Sequence, residues 1–241
     1  MKTETLTAPP RALALMVIIL SLMIFVPLVV LGGAIDWPAS LDNSPDVLLP
    51  LLLENEAAVR WGYLSYLAYS VLFLAVAVVV TRWLHPGGAG SHILVPVAIG
   101  LATASAACRA IGIVRWPSTM FPLAERWEEA NEAERVVLAA QFESVNDFGG
   151  AIGELLGVSV FAALWLGVAL WGARPPRLRW LVGAGWVVAL LLLGPAVELV
   201  GIDSGPLGIA ATTAINIWLL GVGVVMWLYP RGPAADPPAL P

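Results

Sequence analysis

Apolar residues gather in six runs of about 20 positions, near 12–34, 61–84, 93–115, 147–172, 180–201 and 206–229. Each is long enough to cross a bilayer as an α-helix. Polar stretches separate them, and two of these, 35–60 and 116–140, are long enough to hold structure of their own. In the first, the turn-rich DNSPD precedes VLLPLLLENEAAV, which reads as a short helix lying at the membrane interface. In the second, Leu123, Trp127, Ala130, Val137 and Leu138 outline a weakly amphipathic helix with Glu125, Glu128, Glu129, Glu132 and Glu134 on its wet side. The first apolar run follows Lys2 and Arg11, as a signal peptide would. It is about twice as long as a signal-peptide core and lacks a small-x-small cleavage site, so it is read as a retained span. Pro27 and Pro195 are expected to kink the first and fifth spans.

The pattern predicts an all-α, polytopic membrane protein: a six-helix bundle with short outer amphipathic helices. It divides into an N-terminal segment 1–11, a membrane domain 12–229 and a Pro-rich, disordered tail 230–241. Composition agrees, with 59% hydrophobic and 12% charged residues among 241. The charge is unevenly distributed. The two termini and the 82–92 and 173–179 turns carry Lys2, Arg11, Arg82, Arg174, Arg177, Arg179 and Arg231 against Glu4 and Asp236, a balance of +5. The remaining residues balance at −10. The positive-inside rule then puts both termini in the cytoplasm. Trp37, Trp61, Trp116 and Trp127 at one boundary and Trp83, Trp171, Trp180 and Trp227 at the other fit an aromatic belt.

Candidate chemistry starts with QFESVNDFGGAIGELLG, which opens the fourth span. At 100° per residue Glu143, Asp147 and Glu154 share one helical face within about 40°. Gly149, Gly153 and Gly157 form a ridge of small residues beside it, where a second helix can approach closely. A carboxylate inside an apolar span calls for a partner. Arg109 lies at the same depth in the third span, so an Arg109–Glu154 pair with Asp147 as second acceptor is expected. Arg60, Arg115 and Glu143 are close enough to the span ends to snorkel. Asn146, Tyr63, Tyr66, Glu198, Thr213 and Asn216 reach the same layer, while the inner halves of the spans are almost wholly apolar. These residues together outline an acid-rich pocket in the outer half of the bundle.

Several classes fall away. One cysteine, Cys108, excludes an internal disulfide, and two histidines near one turn leave no bis-His haem site. No cofactor, metal site or nucleic-acid partner is expected. HExxH, GxSxG and GxxxxGK[ST] are all missing, so an intramembrane enzyme working with carboxylates alone ranks third. The leading reading is a protein that binds or transports a small polar or cationic solute. Its rival is a structural or sensory subunit, with a homo-oligomer or protein partner, in which the charged cluster only fixes helix packing. RAIGIVRW at the end of span three and NDFGGAIGE opening span four resemble a family of small bacterial six-span membrane proteins known as a domain of unknown function. The resemblance covers roughly 55–230 and implies six helices and a bacterial plasma-membrane location, with no activity attached.

Overall fold

A computed structural model describes residues 10–85, 91–173 and 178–229. Lys2, Glu4, Arg174, Arg177, Arg231, Asp236 and the tail fall outside the described residues. The described chain is all-α, with six helices long and apolar enough to cross a membrane. Span one is α1 (Pro10–Leu22) plus α2 (Phe25–Ile35), and span two is α4 (Glu56–Leu84). Span three is α5 (Ser91–Arg115). Span four joins α7 (Glu132–Gly150), a π-helical stretch (Ala151–Phe161) and α8 (Ala162–Leu170). Span five is α9 (Arg179–Leu193) with a 3-10 extension (Gly194–Val200), and span six is α10 (Leu207–Leu228). A 3-10 turn (Ala39–Asp42) and the short helix α3 (Pro45–Glu54) follow span one, and a π-helical turn (Trp116–Met120) carries span three without a break into α6 (Phe121–Glu129).

The break in span one follows from Pro27. Its ring has no N–H and crowds the carbonyl four residues back, that of Met23. The Met23 carbonyl instead takes the Val26 N–H at 3.1 Å, and α1 ends at Leu22. Below the break α1 packs along α10, where Gly223 admits Val17 and Ile18. Above it α2 packs on α4, with Gly62 against Leu31. Pro195 acts similarly in span five, where α-winding stops at Leu193.

Two apolar cores result. One occupies the half of the bundle that includes Trp83, Trp165, Leu166, Leu192 and Val222. The other joins Leu48, Leu49 and Leu52 of α3 to Phe121, Leu123 and Trp127 of α6 and to Leu138 and Phe142 of α7. The short helix expected after DNSPD is therefore present as α3, packed on the rest of the chain. With α6 and the first turns of α7 it forms a cap over one end of the bundle, called the capped end below. The acidic 116–140 segment is not one helix. It breaks at Ala130, and α7 restarts with a capping box in which Asn131 and Glu134 satisfy each other's backbone N–H groups. From Glu132 the chain runs without interruption to Leu170, so the fourth helix begins well before position 147. The tryptophan belt also needs correction. Trp61, Trp171, Trp180 and Trp227 are exposed, but Trp83, Trp116 and Trp127 are core residues.

Candidate functional site

Between the two cores lies a layer of buried polar side chains: Ser21, Ser70, Ser105, Arg109, Arg115, Ser159 and Asn216. The Gly149–Gly153–Gly157 ridge builds its tightest seam, as its spacing foretold, and its partner is α5. A Cβ on Gly112 would sit 2.6 Å from Gly153 Cα and 2.8 Å from Gly149 O. Backbone therefore meets backbone, and Ser105 Oγ donates across the seam to Gly157 O at 2.7 Å. From Ala151 to Phe161 this helix winds with i→i+5 hydrogen bonds, a geometry uncommon at such length and found often at functional sites. Glu154 reaches the cavity described below, whereas Glu143 and Asp147 are exposed on α7 and do not.

Glu154 pairs with Arg115, not with Arg109. Arg115 Nη2 lies 3.7 Å from Glu154 Oε1 and 3.3 Å from Asn146 Oδ1, while Nη1 donates to Gly112 O at 2.8 Å. Asn146 Nδ2 donates onward to Leu41 O at 3.1 Å, tying the loop before α3 to span four. Arg115 does not snorkel, because the cap covers the end of α5. Its guanidinium carbon stands 5.2 Å from the centre of the Trp116 ring, and Tyr63 stacks on that ring at 4.9 Å. Arg109 is 4% exposed and lies over Phe73 at 4.2 Å. Its Nε and Nη2 have no hydrogen-bond partner, and no acid pairs with it among the described residues.

A cavity of about 1020 Å³ fills the space around this layer, with Arg109, Arg115 and Glu154 in its wall. The side chain of Glu154 is 53% exposed, so it is held at one edge by Arg115 and open to the cavity at the other. Asp42 and Glu198 are the other carboxylates near enough to act on it electrostatically. Glu198 accepts from Ser204 in the 201–206 turn, which also brings Asp203 to the cavity. Gly201 at φ +79° supplies the left-handed residue that ends the 3-10 helix and starts this turn. Of the residues anticipated from sequence, Arg109, Glu154, Tyr63, Tyr66, Glu198, Thr213 and Asn216 line the cavity. Asn216 also accepts from Tyr69 at 2.9 Å. Arg60 does not line it: it pairs with Glu56 at 2.7 Å and covers Phe121. Glu143 and Asp147 also lie off the cavity, and Asn146 touches it only through Arg115.

Sequence reasoning passed over Arg115, Asp42, Asp203, Trp37 and Trp116 as lining residues. Arg115 stood in the motif RAIGIVRW, and both aspartates stood in turn-rich stretches, DNSPD and IDSGP. Residues 12–232 match the family model DUF4386, a domain of unknown function. The chain belongs to the DUF4386 family. No curated protein and no solved structure matches it. In this DUF4386 member the matched region takes in all six candidate spans and both α3 and α6. No cluster of three or more His, Cys, Asp or Glu suited to a metal occurs among the described residues.

Proposed function

We propose that the protein binds a polar solute carrying a positive charge in the cavity between the two cores. The observation that carries this reading is the posture of Glu154, half of whose side chain faces the cavity although it lies inside a membrane span. A carboxylate kept only for packing would be enclosed with its partner, since an open one gains little from a distant cation. Asp42, Glu198 and Asp203 add negative charge around the same space. Trp37 and Tyr66 supply aromatic surface of the kind that attracts an ammonium group. In this reading the chain forms one membrane domain over 12–229 in a bacterial plasma membrane. Its termini are cytoplasmic and its capped end is external, supported by the arginine asymmetry read from the sequence.

The test uses choline, a small organic cation, with radiolabelled choline binding to purified protein in nanodiscs. Saturable binding is expected, weakened about tenfold or more in Glu154→Gln, which keeps size and removes charge. Absence of saturable choline binding in folded wild-type protein would contradict the reading. A structural role also has one observation in its favour, the Arg115–Asn146–Leu41 chain that ties α5 to span four and the cap. That role requires Arg115 and is indifferent to the charge on Glu154.

A further inference from the structure

We infer that the occupant is a single-chain amphiphile with a zwitterionic head, taken from the outer leaflet through a side opening between α2 and α10. The inference rests on the ligand-binding reading above and adds two independent observations to it. The first is Arg109. A buried guanidinium without an anion is costly, and such groups in membrane proteins are ordinarily paired. Here Nε and Nη2 are unpartnered while the residue lines the cavity. An anionic group on the ligand, a phosphate or carboxylate, completes this site. A wholly anionic ligand would suffer from Glu154, Asp42 and Glu198, so the head must bring a cation as well.

The second observation is the shape of the wall. The Pro27 break sends α2 toward α4 while α1 stays on α10, so the outer halves of spans one and six part. Phe25, Leu28, Ile209 and Ile217 border that gap. They line the cavity and are 54%, 41%, 61% and 65% exposed. In a membrane this gap opens onto hydrocarbon. A chain lying in it remains in an apolar setting while its head reaches Arg109 and Glu154. The volume of 1020 Å³ stands at the upper end of the roughly 300–1,000 Å³ typical of sites for drug-sized ligands, more than a small cation requires.

Displacement of radiolabelled choline from the protein in nanodiscs tests each element separately. Phosphocholine adds the phosphate, and it should displace choline at about tenfold lower concentration than unlabelled choline does. Lysophosphatidylcholine adds the chain and should be more potent again. Arg109→Met and Arg109→Gln leave no acid stranded, so both should fold. They should abolish the advantage of phosphocholine over choline. Ile217→Trp narrows the side opening at an exposed position. It should remove the advantage of lysophosphatidylcholine over phosphocholine and spare both small ligands. Equal potency of phosphocholine and choline on the wild type overturns the role given to Arg109. Equal potency of lysophosphatidylcholine and phosphocholine, or indifference to Ile217→Trp, overturns the side opening. In either case the cation-binding reading stands. Only the absence of choline binding itself removes that reading together with this one.

Discussion

Gly112→Ala is the smallest change that probes how the polar layer is built. The new Cβ would stand 2.6 Å from Gly153 Cα and 2.8 Å from Gly149 O, and both are backbone atoms that cannot rotate aside. Carbon atoms rest at about 3.5–4.0 Å, so α5 and span four must separate by about 1 Å at this point. Overpacking of this kind costs about 1–3 kcal/mol. The same movement stretches the 2.7 Å bond from Ser105 to Gly157 past bonding range, adding about 0.5–1.5 kcal/mol. A combined loss of about 1.5–4.5 kcal/mol is therefore expected. Gly100→Ala is the control: it lies on the same helix with nothing within 4 Å of its added Cβ. That change should be neutral or stabilise by up to about 1 kcal/mol through helix propensity. Thermal unfolding of detergent-solubilised protein, followed by loss of the monodisperse peak, compares the two. Equal midpoints for Gly112→Ala and Gly100→Ala would show that the seam is not a backbone contact.

Other substitutions divide the site into structural and open parts. Arg115→Ala removes bonds to Gly112 and Asn146 and should cost about 1.5–3 kcal/mol. Glu154→Gln should cost less than Arg115→Ala, because the ion pair is 3.7 Å long, the carboxylate is half exposed and Arg115 keeps its bonds to Gly112 and Asn146; thermal midpoints that rank the two in reverse order would refute this division. Asn131→Ala breaks the capping box of α7 and should destabilise by about 1 kcal/mol, read from hydrogen exchange in the first turns of α7. A reporter active only in the cytoplasm should give signal when fused after residue 230 and none when fused after residue 130. Signal at both positions would overturn the orientation.

The six spans were legible because a run of about 20 apolar residues has few other uses. The glycine ridge was legible for a similar reason, since small residues every fourth position mark a close helix contact. The charge pairing was not. Depth along a helix places Arg109 and Glu154 in one layer but says nothing of direction around the axis, and direction decides which arginine Glu154 meets. The shared face of Glu143, Asp147 and Glu154 assumed 100° per residue, and the π-winding after Gly150 departs from it. Arg115 stands at a span end, which normally meets water and lets an arginine snorkel. The cap of α3, α6 and α7 removes that water, and its assembly depends on contacts between segments some 70–90 residues apart. Asn131 and Glu134 did carry a local sign of the helix restart, the N-x-x-E of a capping box, within a run that otherwise reads as uniformly acidic.

We propose that Glu154 faces an open, acid-rich cavity and is not sealed within its salt bridge to Arg115. Glu154→Cys in a Cys108→Ser background, treated from outside intact cells with membrane-impermeant methanethiosulfonates, tests it most directly. Labelling is expected at position 154 with a cationic and with an anionic reagent, since Arg109 and Arg115 as well as Asp42, Glu198 and Asp203 line the cavity. No labelling at 154 by either reagent, while Thr213→Cys and an exposed control at Trp61→Cys react in the same background, would contradict it.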